Sequence, residues 1–158
     1  MFKSRRVSAA SLVTSKLFDE NTFSRAFERD LKKAQSSVII ESPFMTERRA
    51  LQYARIFKRL KKQGVKVRVN TRNPRHHDPP LEAQAWKALF ILKDVGVKVR
   101  TYNDLRHRKL AIIDKGTLWE GSLNILSQNN SRETMRRTQS DELAQQMLRF
   151  TKVDNWYQ

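Results

Sequence analysis

The sequence predicts an α/β fold with a mixed, largely parallel β-sheet flanked by helices on both faces. Amphipathic segments alternate with short apolar runs over the first two thirds of the chain. The run Gly64-Val-Lys-Val-Arg68 recurs as Gly96-Val-Lys-Val-Arg100, each time directly after such a segment. Two helix–glycine–strand units in succession are typical of βαβ arrangements, whose strands are parallel. Because 158 residues suffice for one such core, we expect a single domain over residues 1–158, with residues 1–20 as an N-terminal extension.

Three helices are predicted in this part from capping residues and apolar spacing. Asn21 or Thr22 can cap the first helix, and Thr46 can cap the second. Gly64 and Gly96 follow the second and third helices, and glycine commonly ends a helix. The apolar stripes are Phe23, Ala26, Phe27, Leu31 and Ala34, then Ala50, Tyr53, Ala54, Phe57 and Leu60, then Leu81, Ala85, Ala88, Leu89 and Leu92, widened by Trp86 and Phe90.

Two strands are predicted between these helices. Residues 37–42 form a nearly continuous apolar run that ends at Pro43, which is typical of a buried strand. Residues 65–70 alternate valine with basic residues, which is typical of a strand with one buried face. Residues 73–80 are predicted to form a loop.

The last third of the chain predicts a hairpin, a strand and a helix. Residues 109–114 and 117–119 read as short strands, and Lys115-Gly116 between them is a hairpin signal. A further strand over residues 133–138 precedes a helix that Ser140 can cap. The apolar residues predicted for this helix are Leu143, Met147 and Phe150.

Composition excludes several classes of protein. The chain has no cysteine, which excludes a disulfide scaffold and a cysteine-based zinc site. No apolar stretch approaches the ~20 residues that a membrane span needs. Residues 7–13 are too short and too polar for the apolar core of a secretory signal. We therefore expect a cytoplasmic protein without stable membrane association.

The net charge of +16 indicates a polyanionic partner. Eleven Lys and Arg residues lie between Arg48 and Arg75, a segment that contains no Asp or Glu. Without interleaved carboxylates these charges repel each other unless a partner neutralises them. Nucleic acid, DNA rather than RNA, is the partner we expect, and an anionic membrane surface or an acidic protein is the alternative.

The residues that can carry chemistry lie between His107 and Asn124. His107 and Lys109 are two residues apart, so they share one face of a strand. Ser122 and Asn124 share a face in the same way, whereas Asp114 points to the other face or the strand end. If the two strands pair, an imidazole, an ammonium, a hydroxyl and a carboxamide converge on one pocket. These groups suit a phosphodiester, because they supply a nucleophile or base and donors for the non-bridging oxygens.

This pattern, HxKxxxxDxxxxxxGSxN, resembles the signature of the phospholipase D superfamily at every fixed position and in both spacings. The resemblance covers roughly residues 20–150. Glu41-Ser-Pro-Phe44 and Gly121-Ser-Leu-Asn-Ile-Leu126 are most similar to phospholipase-D-like nuclease modules, some of which stand alone while others are attached to DNA helicases. The resemblance implies the phospholipase-D-like fold and a metal-independent phosphodiesterase that needs no cofactor.

The resemblance also implies roles for individual residues. His107 would attack phosphorus and form a phosphohistidine. Lys109 and Asn124 would hold the phosphate oxygens, and Ser122 would donate to phosphate or shape the pocket. Asp114 would be a supporting residue of the same site.

Two further features follow from the resemblance. Members carry a glutamate shortly after the GSxN segment that orients the histidine, and Glu133 is the candidate here. The family chemistry uses two histidines, but His76 and His77 lack the lysine at the required spacing. The resemblance therefore implies a twofold homodimer in which two copies of His107 face each other. His76 and His77, beside Asp78, are interpreted as part of a polar loop rather than as a metal site.

Several arginines are candidates for binding nucleic acid. Arg72 and Arg75 follow the second predicted strand, at the edge where open α/β sheets place ligands. The others flank the candidate site residues and are Arg108, Arg132, Arg136 and Arg137. Plain solvation is the alternative for these side chains. Trp119 can belong to the core or to the site, whereas the helical spacing of Trp86 favours the core.

The function that we expect is metal-independent hydrolysis of nucleic-acid phosphodiesters through a phosphohistidine, in an active site completed by a homodimer. The alternative is a catalytically silent nucleic-acid-binding module of a larger helicase or defence complex. A chain that never dimerises would favour this alternative. A lipid phosphodiesterase ranks third, because no amphipathic anchor is evident in the sequence.

Overall fold

The computed structural model describes residues 13–127 and 130–155. In this part of the chain, one seven-stranded sheet packs against four helices. The strands are β1 (Thr14–Asp19), β2 (Ser37–Glu41), β3 (Lys66–Arg72), β4 (Lys98–Tyr102), β5 (Leu110–Ile113), β6 (Thr117–Gly121) and β7 (Thr134–Gln139). The helices are α1 (Phe23–Lys33), α2 (Glu47–Lys62), α3 (Pro79–Asp94) and α4 (Asp141–Thr151), with a short 3₁₀ turn at Pro74–His76.

The strand order across the sheet is β1-β7-β6-β5-β2-β3-β4. β2, β3 and β4 run parallel, and α2 and α3 connect them. β5, β6, β7 and β1 pair antiparallel, and β5 also pairs antiparallel with β2. The predicted α/β class with a mixed sheet is confirmed. The sheet is less parallel than the sequence predicts, because the second half of the chain connects its strands without crossover helices.

The two faces of the sheet are covered by different helices. Val38 and Ile40 of β2 belong to the larger core cluster, which contains residues of α1, α2 and α3. Ile39 lies between them, points to the opposite face, and packs with Ala144 and Leu148 of α4. Helices therefore flank both faces, as predicted. None of the helices within the described ranges is long and apolar enough to cross a membrane.

The helix boundaries follow the predicted signals closely. The Thr46 hydroxyl accepts a hydrogen bond from a backbone N–H in the first turn of α2. Gly64 and Gly96 follow α2 and α3 with φ of +83° and +90°, a conformation that glycine adopts at little cost. The loop predicted over residues 73–80 is shorter, because α3 begins at Pro79. Proline in the first helical turn loses no helical hydrogen bond.

Two of the predicted apolar stripes differ from the observed ones. Phe90 is 66% exposed, although Trp86 packs against the core as predicted. Leu143 and Phe150 of α4 are also exposed. The buried face of α4 consists of Ala144, Leu148 and Thr151. The sequence of α4 offers two neighbouring stripes at helical spacing, and packing against Ile39 and Leu110 selects the second.

Residues 14–19, which the sequence analysis places in an N-terminal extension, form the edge strand β1. β1 pairs with β7 over its whole length, from Thr14 opposite Gln139 to Asp19 opposite Thr134. Most side chains of β1 are exposed, so no alternating apolar pattern marks it as a strand. Residues 1–12 of the predicted extension lie outside the described residues.

Candidate active site

The pairing of β5, β6 and β7 brings the two halves of the predicted motif together. His107 and Lys109 lie in the extended segment before β5, where the backbone N–H of Gly121 donates to the Lys109 carbonyl at 3.4 Å. Ser122 follows β6 and faces Thr134 at the start of β7. The Ser122 N–H donates to the Thr134 carbonyl at 2.9 Å, and the Thr134 N–H donates to Ser122 Oγ at 3.0 Å. The predicted hairpin is confirmed, and Ser122 lies beside the strand that Lys109 enters.

Lys109 is buried against an accessible His107. Its Nζ lies 2.9 Å from Nδ1 and 3.4 Å from Nε2 of His107, and donates to the His107 carbonyl at 2.8 Å. Lys109 is 9% exposed, whereas His107 is exposed. Burial lowers the pKa of Lys109, and the nearby Glu133 carboxylate acts in the opposite direction. The site thus pairs an open imidazole with a partly desolvated ammonium.

Asn124 lies in a loop that packs against the segment following β2. The Leu126 N–H donates to Ser42 Oγ at 3.2 Å, and the Thr46 N–H donates to the Leu126 carbonyl at 2.8 Å. The Oδ1 atom of Asn124 is buried and has no hydrogen-bond partner among the described residues. Buried polar atoms are rarely left without a partner, so this oxygen can accept a hydrogen bond from a ligand.

Glu133 lies close to Lys109 but is not hydrogen-bonded to His107 among the described residues. Its Oε1 accepts a hydrogen bond from the Ser131 hydroxyl at 2.8 Å. Its backbone N–H donates to the Glu20 carboxylate at 3.0 Å. The role of Glu133 in orienting the histidine therefore stays a prediction.

Asp114 lies at the far end of β5, away from His107. Its carboxylate accepts backbone N–H hydrogen bonds from Gln35 at 2.9 Å, Ser36 at 2.7 Å and Ser37 at 3.0 Å. Burial alone would raise the pKa of Asp114, but these hydrogen bonds outweigh it and hold the pKa below 3.8. Asp114 thus stabilises the start of β2. The structure does not bring it to the pocket with the reacting groups.

Glu41 is a site residue to which the sequence analysis assigns no role. It is fully buried at the end of β2, and its carboxylate pairs with Arg108 at 2.8 Å and Arg106 at 3.4 Å. Through these two arginines it holds the segment that carries His107. Its position at the carboxyl end of a buried parallel strand, where α/β sheets bind ligands, is the signal that could have identified it.

Two of the candidate nucleic-acid-binding arginines are instead held by the fold. Arg108 pairs with Glu41, and Arg137 makes two hydrogen bonds with Asp30 at 2.6 and 3.0 Å. Asp30 also accepts from the indole of Trp119 at 2.8 Å, and Trp119 is fully buried, so it belongs to the core. Arg108 nevertheless keeps 43% of its side chain exposed. Of the other candidates, Arg75, Arg132 and Arg136 are exposed, and Arg72 is half-buried.

Phe44 packs against both His107 and His77. Its ring centroid is 6.3 Å from that of His107 and 4.9 Å from that of His77. Cζ of Arg72 lies 5.6 Å from the same centroid. His76 is exposed, and within the described ranges no three His, Cys, Asp or Glu side chains cluster as metal ligands would. His77 thus packs on an aromatic ring beside the site.

The candidate site has a histidine–lysine pair before one strand and a serine–asparagine pair after its hairpin neighbour. The family model described as "Cardiolipin synthase, PLD-like domain" matches residues 27–153. The chain therefore belongs to the phospholipase D-like domain family. The predicted family is confirmed.

Three known proteins illustrate this relationship. Human mitochondrial cardiolipin hydrolase is 35% identical over 101 residues, which are 61% of this chain and 38% of that protein. The chain thus spans well under half the length of this curated relative. Nuc, a phospholipase D family member from Salmonella typhimurium, superposes with a TM-score of 0.76 at 18% identity, covering 93% of this chain and 96% of Nuc. NucT from Helicobacter pylori gives 0.69 at 22% identity, covering 89% and 94%.

Proposed function

We propose that this chain hydrolyses nucleic-acid phosphodiesters without a metal, through a phosphohistidine formed at His107. The observation that supports this proposal is the pairing of the segment that holds His107 and Lys109 with the strand end that precedes Ser122 and Asn124, where the Gly121 N–H donates to the Lys109 carbonyl. A nucleophile, a buried ammonium and the N–H donors of a carboxamide together suit a tetrahedral phosphate. We expect the protein to act in the cytoplasm.

The reaction has two steps. A ring nitrogen of His107 attacks phosphorus, so that a P–N bond forms while the bond to the leaving oxygen breaks. A second imidazole gives its proton to that oxygen. Water then attacks phosphorus, the P–N bond breaks, and the proton of the water passes to the second imidazole. Lys109 and Asn124 donate hydrogen bonds to the non-bridging oxygens, where negative charge accumulates in the transition state.

Lys109 has to exchange partners during this cycle. In the free protein its ammonium donates to His107 at 2.9 Å, and an ammonium has no acceptor to offer in return. A phosphate oxygen entering the site provides a stronger, charge-assisted partner. We infer that substrate binding draws Lys109 away from the ring and frees the ring nitrogen for attack.

The second imidazole is best supplied by His107 of the partner subunit. His77 and His107 both pack against the Phe44 ring, and no hydrogen bond joins the two imidazoles within the described ranges. Burial and the charge of Arg72 lower the pKa of His77 below 6.5, so it is a poor proton donor at neutral pH. A twofold axis beside His107 places two equivalent imidazoles across one phosphate.

Two exposed apolar side chains support a protein interface near His107. Leu105 is 83% exposed and Phe150 is 84% exposed. Leu105 precedes His107 by two residues. Phe150 adjoins Thr151, whose carbonyl accepts from Arg108 at 3.5 Å. Both side chains thus lie at the end of the sheet that carries the site, where a second copy would cover them.

Nucleic acid is favoured over lipid as the substrate because of charge. The net charge is +16, and Arg75, Arg132 and Arg136 leave exposed guanidinium groups near the site elements. A chain of phosphates binds such a surface through many weak contacts. The name of the human relative, a cardiolipin hydrolase, makes a lipid phosphodiester the second candidate. A catalytically silent nucleic-acid-binding module is the third.

The test is a cleavage assay in excess EDTA with labelled single-stranded DNA, duplex DNA, RNA and cardiolipin vesicles. The native chain is compared with His107→Ala, and His76→Ala is the matched control because His76 is exposed outside the motif. We expect cleavage of a nucleic acid by the native chain and the control, and loss of at least about a thousandfold in His107→Ala. Quenching with detergent at alkaline pH, where the P–N bond is stable, should trap labelled phosphate on the chain during turnover.

Each alternative has its own outcome in this assay. Hydrolysis of vesicles alone would move the assignment to a lipid phosphodiesterase. Tight nucleic-acid binding without cleavage of any substrate would indicate a silent binding module. Activity that requires an added metal would contradict the metal-independent mechanism.

A further inference from the structure

Phe44, Arg72 and His77 form a second polar cluster beside His107, which we call the Arg72 cluster. Phe44 follows β2, Arg72 is the last residue of β3, and His77 follows the 3₁₀ turn after β3. All three therefore lie at the carboxyl ends of the parallel strands, where α/β sheets place ligands. Phe44 contacts both histidine rings, so it connects this cluster to the catalytic residue.

Two nitrogen atoms of the Arg72 cluster are buried and unpartnered within the described ranges. They are Nε of Arg72 and Nε2 of His77. Guanidinium and imidazole nitrogens buried in this way cost free energy, and a native protein normally satisfies them with a ligand, an ion or water. Two such atoms beside one aromatic ring indicate a polar ligand that binds there.

The charge of the Arg72 cluster indicates the sign of that ligand. The Arg72 guanidinium lies over the Phe44 ring. Among the described residues, no salt bridge includes Arg72. Asp78 and Glu82 raise the pKa of His77, but burial and Arg72 lower it more. The guanidinium charge is thus uncompensated at neutral pH, and an anion would be attracted to it.

We propose that Arg72 binds the phosphate next to the one that is cleaved, with Phe44 positioning the guanidinium and His77 adding a hydrogen bond. This inference rests on the proposed function and deepens it. Arg72 and His107 both lie against the Phe44 ring, with Cζ of Arg72 at 5.6 Å and the His107 centroid at 6.3 Å from the Phe44 centroid. The two side chains would thus contact neighbouring phosphates of one strand. The enzyme would therefore select substrates that carry at least two linked phosphates.

The experiment compares substrates that differ only in the neighbouring phosphate. The first is a trinucleotide with two phosphodiester linkages. The second and third carry one neutral methylphosphonate linkage, on either side of the cleavable one. Bis(4-nitrophenyl) phosphate is the fourth, because it has a single phosphate. kcat and KM are measured for the native chain, Arg72→Ala, Arg72→Lys and Phe44→Leu.

The native chain should lose about ten- to a hundredfold in kcat/KM when one particular neighbouring linkage is neutral, as for one charged hydrogen bond. Arg72→Ala should show the same loss on the charged trinucleotide and no further loss on the neutral one. Its loss on bis(4-nitrophenyl) phosphate, which has no neighbouring phosphate, should be several-fold smaller than its loss on the charged trinucleotide. Arg72→Lys should recover part of the effect, and Phe44→Leu should lose less than Arg72→Ala.

The control variant is Arg29→Ala, which removes an exposed arginine of α1 that lies outside the site. An equal loss in Arg72→Ala on all four substrates would overturn the proposal, because Arg72 would then act at the cleaved phosphate or on the fold. The proposal would also be overturned if the neutral linkage lowered kcat/KM of Arg72→Ala as much as it lowers that of the native chain.

A binding measurement separates this proposal from the proposed function. A labelled single-stranded decamer is titrated with the His107→Ala chain, with and without Arg72→Ala, at several salt concentrations. Loss of one phosphate contact should reduce the slope of log K against log salt by about 0.7. An unchanged slope would contradict the Arg72 contact even if the native chain cleaves nucleic acid. A reduced slope would support it even if no cleavage is found.

Discussion

Gly121 is the residue on which the geometry of the motif depends most directly. A Cβ at this position would overlap the Thr134 carbonyl oxygen and lie 2.9 Å from Cα of Met135. Both are backbone atoms of β7 and cannot turn away. Gly121→Ala should therefore force β6 and β7 apart and destabilise the fold by about 1–3 kcal/mol. Because Ser122 and Asn124 follow directly, kcat/KM should fall as well, which urea unfolding and kinetics can measure separately.

Gly116 provides the control for this substitution. It lies at the other end of the same hairpin, where a Cβ would meet Oδ1 of Asp141 at 2.6 Å. That atom ends a flexible side chain, so Gly116→Ala should cost less stability and leave kcat/KM intact. Equal effects of the two substitutions would show that Gly121 has no special link to the site.

His77 makes the stability of the protein depend on pH in a defined window. Burial and the charge of Arg72 lower its pKa below 6.5, so the unfolded chain binds a proton at a higher pH than the folded chain. Stability therefore increases with pH while His77 titrates, and is lost as pH falls below about 6.5. The loss should stay below about 1 kcal/mol, because the ring is only partly buried.

Replacing His77 by Gln should remove this dependence. Urea unfolding at pH 7.5 and 5.5 should give a smaller difference in His77→Gln than in the native chain. Carboxylates with lowered pKa such as Asp104 and Asp114 lose their contribution only at lower pH, near and below 3.8. A difference unaffected by His77→Gln would assign the pH dependence to other groups.

At the residue scale, the sequence predicts that His107 and Lys109 lie together but not what surrounds them. The two-residue spacing of His107 and Lys109 is enough to predict that their side chains meet, because strand geometry is regular. The contacts of Phe44 and Glu41 depend on which strands become neighbours. No local pattern contains that information, so these two residues could not be assigned roles from the sequence.

At the scale of elements, the β5–β6 hairpin turns at a different pair of residues than predicted. The central residues are Asp114 and Lys115, with φ of +53° and +54°, and the Gly116 N–H donates to the Ile113 carbonyl at 3.1 Å. Positive φ at both central positions is typical of a type I′ turn, which matches the twist of the strands. Asp tolerates this conformation, and here its side chain also binds the backbone before β2.

Asp114→Asn tests this supporting role. Asn also tolerates positive φ, so the turn keeps its geometry. An NH2 group replaces one carboxylate oxygen, so the side chain loses one acceptor for the N–H groups of residues 35–37. The free energy of unfolding should fall by about 1–3 kcal/mol at pH 7. It should fall by less as pH decreases below 3.8, because the pKa of Asp114 is lowered from that value and its carboxylate is protonated only there. Activity per folded molecule should stay near the native value.

Lys115→Gly is the matched change in the same turn. Glycine relieves the positive φ of Lys115 without touching the Asp114 hydrogen bonds, so stability should increase by up to about 1 kcal/mol. A loss of kcat in Asp114→Asn without a loss of stability would place Asp114 in the catalytic machinery after all.

The same scale shows why β1 and the stripe of α4 could not be predicted correctly. β1 is an edge strand with mostly exposed side chains, so its sequence has no apolar period. α4 carries two possible stripes, and only packing against β5 and β6 decides between them. Helices with a cap, one stripe and a following glycine, such as α2, are predicted almost residue for residue.

At the scale of the whole molecule, the basic segment from Arg48 to Arg75 does not form one surface. Arg72 and Arg75 lie at the end of the sheet that carries His107. Lys66 and Arg68 lie toward the other end and line a cleft of about 640 Å³ with Lys115. The charge therefore surrounds the molecule and draws a polyanion to it, while the orientation on the site depends on a few residues such as Arg72.

The proposed dimer has a quantitative consequence for mixtures of chains. If each reaction needs one His107 from each subunit, only dimers of two native chains are active. After subunit exchange with His107→Ala at constant total concentration, activity should follow the square of the native fraction, about one quarter at equal amounts. Exchange is checked by capture of a tagged subunit, and activity is measured on the nucleic acid that the native chain cleaves.

Leu105 provides a control in which the inactive chain cannot associate with the native chain. Leu105 is 83% exposed beside His107, so Leu105→Asp should prevent association without disturbing the core. A double variant, His107→Ala with Leu105→Asp, should form no dimers with the native chain. Activity at equal amounts should then be about one half. A linear decline with the single variant, despite verified exchange, would mean that each chain cleaves alone. The proton donor would then have to come from within the chain, and His77 would be the first residue to replace.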